Sequence, residues 1–164
     1  MSDPLPNTEF RDHVGIPDNP DRALLHALLS TQARNIKLDM NPALTSLGAT
    51  LLAGSAGVLS IGFTAPEHSV QGNGVVAGGT LASMLDFAMA LALLSELPHG
   101  RTCATISLTV NMLEPGHVGE FVANARVKRR GGRVAFAGGE LYDATRTRCI
   151  ATATAPFAVF DVRR

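Results

Sequence analysis

The sequence predicts an α+β domain, an antiparallel sheet wrapped around one long central apolar helix. Two observations carry this. Between Leu81 and Leu97 the only polar side chains are Ser83, Asp86, Ser95 and Glu96, and a helix apolar on nearly every side must be covered by other elements. From Thr105 onward, apolar residues recur at every second position and the intervening segments are tight turns. Turns that short join only antiparallel neighbours, because parallel strands need a long crossover.

The elements follow in order. Residues 1–20, rich in Pro, Asp and Asn with no apolar period, read as an extended arm; residues 21–164 read as a single domain. Asn19-Pro20-Asp21 offers a cap, a proline and an acid, and a helix then runs through Leu24, Leu25, Leu28 and Leu29. Asn41-Pro42 is read as a helix breaker. Two strands are expected between Leu47 and Phe63, turning at Gly54-Ser55-Ala56-Gly57. A loop from Ala65 to Gly74 leads into the apolar helix, Gly78 to Leu97. Next, Ile106, Leu108, Val110 and Met112 alternate with Thr105, Ser107, Thr109 and Asn111 as a strand closed by Glu114-Pro115-Gly116. Strands over Phe121–Lys128, Val134–Tyr142 and Cys149–Phe160 complete the sheet, with turns at Arg130-Gly131-Gly132 and Asp143-Ala144-Thr145-Arg146.

Composition narrows the function classes. The chain has 164 residues, 14 basic and 14 acidic, so its formal net charge is +0. That balance gives no general attraction to nucleic acid or to an anionic membrane, and an anionic ligand needs a local basic cluster. Trp is absent and Tyr142 is the single tyrosine, too little for a base-stacking surface. The longest apolar run, Phe87 to Leu94, is far below the ~20 residues of a membrane span. Cys103 and Cys149 sit in apolar runs without metal-ligand spacing, and Met1-Ser2-Asp3-Pro4 opens with neither a basic nor an apolar stretch; a cytoplasmic, non-secreted protein with reduced thiols is expected. The five histidines show no metal spacing either.

Asp86 is the residue that composition does not explain. A carboxylate in the middle of an apolar helix is costly unless it is paired or used. Gly78 and Gly79 open the same helix and leave backbone N–H groups accessible, with the helix dipole behind them. Such donors suit a carbonyl oxygen that gains charge during attack. Eight residues separate Gly78 from Asp86, about 12 Å along a helix axis. One carbonyl cannot reach both in the same chain. Two such helices packed antiparallel about a dimer axis bring Gly78 of one subunit to Asp86 of the other, in two equivalent sites.

The stretch Gly78-Gly79-Thr80-Leu81-Ala82-Ser83-Met84-Leu85-Asp86-Phe87-Ala88 resembles the helix motif of hotdog-fold acyl-CoA thioesterases of the phenylacetate-degradation type. Thr105 to Gly116, ending Asn111-Met112-Leu113-Glu114-Pro115-Gly116, is similar to a strand of that family. Arg129-Arg130-Gly131-Gly132-Arg133 resembles its hairpin and Ala151-Thr152-Ala153-Thr154 its last strand. The likeness runs in order from Leu44 to Val159. It implies a hotdog fold, hydrolysis of a small aryl- or alkanoyl-CoA, and a homodimer or homotetramer. It also implies no cofactor beyond the coenzyme A carried by the substrate. By the same resemblance Asp86 is the nucleophile or general base and the Gly78 N–H is the oxyanion donor. Thr105 orients water or carboxylate, and Gln71 stands where many members have an Asn. Gly79 and Asn73 join the substrate site. The family's His before the glycines is Ala77 here, which favours thioester hydrolysis over hydration. It also leaves a non-catalytic acyl-CoA-binding dimer as the alternative.

Other readings fall away. Gly72-Asn73-Gly74-Val75-Val76-Ala77 fits the dinucleotide fingerprint, yet Pro66-Glu67-His68 separates it from the preceding strand and no parallel strands follow. The serine-hydrolase elbow is missing. Lys128, Arg129, Arg130 and Arg133 form a basic hairpin tip, either a solvated turn or a dock for coenzyme A phosphates.

Overall fold

The computed structural model describes residues 15–163; most of the expected arm, residues 1–14, lies outside them. Three helices and eight strands follow in order. Helix α1 (Pro20–Ser30) precedes β1 (Ile36–Lys37), α2 (Pro42–Ser46), β2 (Thr50–Ser55) and β3 (Val58–Thr64). A 3₁₀ turn, Glu67–Ser69, leads to α3 (Gly78–Leu94), and then come β4 (Arg101–Thr105), β5 (Thr109–Met112), β6 (Glu120–Arg130), β7 (Val134–Asp143) and β8 (Cys149–Asp161). All strands join one antiparallel sheet in the order β1-β2-β3-β6-β7-β8-β4, with β5 also on β8.

The sheet curves around α3. Met84, Leu85, Ala88 and Met89 are fully buried against Leu59, Ile61 and Phe63 of β3, Ala123 of β6, Leu141 of β7 and Phe157 of β8. Gly139 on β7 makes this closeness possible, since a Cβ there would lie 3.2 Å from Leu85 Cδ2 and 3.4 Å from Met89 Cγ. The helix is shorter than expected. It ends at Leu94, and residues 95–97 wind into a tighter turn in which the Glu96 N–H bonds the Leu93 carbonyl.

Two local expectations are corrected. Asn41-Pro42 does not break a helix; it starts α2, with the Asn41 side chain capping the Leu44 N–H and proline in the first turn. The strand expected over Thr105–Met112 begins earlier, at Arg101, and is split. Thr105 pairs with Phe157 and Thr109 with Thr154, so four steps on one side oppose three on β8. The extra residue is a bulge, and it reverses which face successive side chains take.

Helix α1 is tied to the far end of α3 by charge. Arg22 is buried; its Nη1 meets Asp18 Oδ2 at 2.7 Å and its Nε donates to the Leu97 carbonyl at 3.0 Å. Burial pushes the Asp18 carboxyl up, but the Gly100 N–H, Arg22 and His99 outweigh it and hold it below its ordinary 3.8. Its stabilisation is therefore present above that value and lost as pH falls through the depressed one. Asp18→Ala leaves Arg22 buried without its partner and should cost about 1–3 kcal/mol in denaturant unfolding at pH 7. At pH below 3 the difference from the parent should shrink.

Candidate active site

One stripe of α3 escapes the sheet. Gly79 and Ser83 are exposed and Asp86 and Ala90 half-buried, spaced four, three and four residues apart as a single helix face requires. Ser83 Oγ folds back on the Gly79 carbonyl at 2.9 Å, so the stripe stays narrow around Asp86. Asp86 accepts a hydrogen bond from Thr105 Oγ1 at 2.8 Å. The bulge explains why. Val110 packs against the core on the same face as Thr105, although the sequence alternation puts them on opposite faces. A one-residue slip leaves no trace in the alternation, and only the hydroxyl's reach to Asp86 betrays it.

Cys103, on the same face of β4, completes the surroundings of the carboxylate. Burial, and then the charge of Asp86, push its thiol up to about 12, and Sγ lies 4.0 Å from the Ala90 carbonyl. Sequence reasoning placed Cys103 in a buried run and missed its place beside Asp86.

The N-terminus of α3 is the second candidate feature. Helices α1 and α2 are capped by Asn19 and Asn41 side chains, whereas α3 begins after Ala77, which cannot cap. No described residue accepts from the Gly78 or Gly79 N–H. A Cβ on Gly79 would meet nothing within 4 Å, and one on Gly78 only Met112 Cε at 3.4 Å. Gln71 is exposed in the turn just before the helix, where its backbone bonds Val75 and Gly74. Asn73 is exposed in the same turn. A bridge between Val70 and Val76 closes this turn, which is unlike the strand-to-helix connection of a dinucleotide fold. Gln71 thus sits at the Gly78 end and lies with Gly79 in one groove, about 12 Å of helix from Asp86 of its own chain.

The hairpin divides. Arg130 is held at the C-terminal end of α3, its Nη1 donating to the Glu96 carbonyl at 3.0 Å and its Nε 3.3 Å from Glu96 Oε1. Arg129 and Arg133 are exposed and form no ion pair among the described residues. Also among these residues, no group of three or more His, Cys, Asp or Glu side chains could hold a metal, and no helix is long and apolar enough to cross a membrane.

Gly78, Asp86 and Thr105 all lie within a segment that matches a known family. The family model described as thioesterase superfamily matches residues 73–150. A phenylacetic acid degradation-related protein from Ralstonia eutropha JMP134 shares 31% identity over 82% of this chain and 98% of its own, with a TM-score of 0.70. The chain belongs to the thioesterase superfamily. It is a thioester hydrolase by that membership, and its α+β architecture is the hotdog fold. Two more distant structures share the fold. The Escherichia coli PaaI protein, from the phenylacetic acid degradation operon, has 20% identity over 87% of this chain and 94% of its own (TM-score 0.69). The Streptococcus mutans protein smu.793, solved with acetyl CoA, has 18% identity over 79% of this chain and 96% of its own (TM-score 0.64). Among curated proteins, none matches the chain.

The position of Cys103 gives a test. Thiolate is the reactive form, so native protein at pH 8 should react with iodoacetamide at Cys149 well before Cys103, as read by peptide mass spectrometry. Rapid labelling at Cys103 would mean that it does not lie half-buried beside Asp86.

Proposed function

We propose that the protein hydrolyses the thioester of a small aryl- or alkanoyl-CoA at a site shared between two subunits. The observation that carries this reading is the hydrogen bond from Thr105 to Asp86 on the open stripe of α3. In the same chain the uncapped N–H groups lie about 12 Å along the helix. The carbonyl oxygen accepts from the Gly78 N–H of one subunit, where the helix dipole stabilises the oxyanion. Asp86 of the other subunit takes a proton from water while the hydroxide adds to the carbonyl carbon. The tetrahedral oxyanion then collapses, the C–S bond breaks and the thiolate recovers the proton. In direct attack the Asp86 carboxylate adds to the same carbonyl carbon, the C–S bond breaks and the thiolate leaves, and water then opens the resulting anhydride. Thr105 fixes the carboxylate orientation in either route, and Gln71 holds the water or carboxylate that reaches it from the facing helix.

The open edge of the sheet supports the dimer. On the side away from β8, β4 and β5 pair with no strand of the described residues, and Ile106 and Leu113 beside them are each 56% exposed. An unpaired edge flanked by apolar side chains invites a second copy, and a two-fold axis there sets the α3 stripes face to face. Phe136 and Phe160, exposed on the outer face of the sheet, offer a surface for pairing two such dimers. The S. mutans relative's acetyl CoA agrees with an acyl-CoA substrate. Arg129 and Arg133 are the cations free to meet its phosphates, whereas Arg130 serves the fold. Two unpaired thiols suit a reducing cytoplasm.

Thiol release from acyl-CoA tests the reaction. Asp86→Asn should lose at least about a hundredfold in kcat while keeping its melting temperature and its affinity for acyl-CoA. Thr105→Ala should lose less. Acyl-CoA binding without release by the parent protein would select the non-catalytic reading, in which Ala77 marks a lost catalytic loop. The hairpin gives a second test. Arg129→Ala and Arg133→Ala should raise KM with kcat nearly intact, and Arg130→Ala should instead lower the unfolding midpoint. Equal KM values for acyl-CoA and a short acyl-pantetheine would remove the hairpin from the substrate site.

A further inference from the structure

A hollow of about 590 Å³ crosses β3, β6, β7 and β8 on the face of the sheet turned away from α3. The register arranges its side chains in rows. Asn111, Thr152, Glu140 and Asn124 stand side by side on β5, β8, β7 and β6, and in the next row Gly138 of β7 pairs with Arg126 of β6. The residues that alternate with them, Ala125 and Ala153, are buried toward the core. We propose that this hollow binds a small organic phosphate, its phosphate between Arg126 and Lys128 and its hydroxyl-bearing body along Asn124, Glu140 and Thr152. The site lies across the sheet from Asp86 and does not depend on the thioesterase reading.

A bulge in β6 brings the two cations together. Val127 pairs with Ala137 and Arg129 with Phe136, so Lys128 is the extra residue. Its side chain folds back over Gly138 instead of running out along the hairpin. A Cβ on Gly138 would stand 2.5 Å from Lys128 Cε and 2.9 Å from its Nζ. Any residue but glycine there would displace the ammonium from the strand position that pairs with Arg126. Neither cation has an acid within ion-pair distance among the described residues. Glu140, the acid of the neighbouring row, accepts instead from the Tyr142 hydroxyl at 2.9 Å. Like charges held this close repel, whereas a merely solvated sheet face pairs opposite charges across its strands. Two unmatched cations suit a dianion, the ammonium as a point charge and the guanidinium as a fork.

The row beside the cations suits the rest of such a ligand. Tyr142 occupies one oxygen of Glu140, and the other can accept from a ligand hydroxyl or amine. The Asn124 amide and the Thr152 hydroxyl each offer a donor and an acceptor. The hollow has the volume of a site that encloses a small ligand. A sugar phosphate and a mononucleotide both present this chemistry.

Calorimetric titration with ribose phosphate and with adenosine monophosphate tests the site, with ribose and inorganic phosphate as controls. At least one organic phosphate should bind about tenfold or more tighter than inorganic phosphate, and ribose should not bind. Binding of both marks a sugar-phosphate site, and binding of the nucleotide alone marks a nucleotide site. Arg126→Gln and Lys128→Gln should each weaken binding about tenfold, the worth of one charge-assisted contact. Both side chains are exposed, so the variants should melt like the parent. Glu140→Gln should narrow the margin over inorganic phosphate. Arg133→Ala should change nothing, which separates this site from the hairpin offered to coenzyme A. Absence of binding by either organic phosphate would overturn the assignment, as would loss in Arg133→Ala with Arg126→Gln unaffected. Sedimentation showing that Arg126→Gln or Lys128→Gln splits the parent oligomer would make this face an interface between copies and equally overturn it.

Discussion

The fold is organised by the need to cover a helix that is apolar almost all round. Nine of the side chains on α3 are buried, and no single layer can bury that many directions at once, so the sheet must curl about it. The curl stops at one stripe, Gly79, Ser83, Asp86 and Ala90. The carboxylate among them keeps one oxygen on the Thr105 hydroxyl and meets no cation among the described residues. Placing the only acid of the buried helix on its only open face connects packing with chemistry. Burial would otherwise penalise the charge.

The bulge between β4 and β5 makes that connection geometrical. Without the extra residue opposite β8, either Thr105 or Val110 would face away from α3. With it, the strand supplies Val110 to the core and Thr105 to the carboxylate within a few residues. The uncapped start of α3 is the complementary device. Asn residues close the first turns of α1 and α2, and Ala77 leaves the corresponding donors of α3 without a side-chain cap.

Much of this was legible from residues alone because the signals were periodic. The apolar run of α3, the alternation in β6 to β8 and the turn residues between them fixed the elements and the α+β class. Asp86 stood out by cost, and Gly78 by the freedom of its backbone. What escaped was what period cannot encode. A one-residue slip near Ser107 changes faces without changing composition. Helix α2 spans five residues, too short to show a period, and its Asn-Pro start reads equally as a break. Arg130 meets Glu96 from 34 positions away, so only the folded sheet shows that this cation is already engaged while Arg129 and Arg133 are not.

The account depends on Gly78 and Asp86 of different subunits forming one site, and subunit mixing tests that directly. Gly78→Pro removes the N–H at the first helical position, where proline is tolerated, and Ala77, at φ −60° and ψ 137°, already has the backbone that must precede proline. Asp86→Asn removes the carboxylate. Each homodimer should be nearly inactive. Unfolded and refolded together in equal amounts, about half the dimers are mixed, and each mixed dimer holds one site with both groups intact. Thioesterase activity should then return to about a quarter of the parent value. No recovery in a mixture shown to contain mixed dimers would contradict a site built across the two-fold axis.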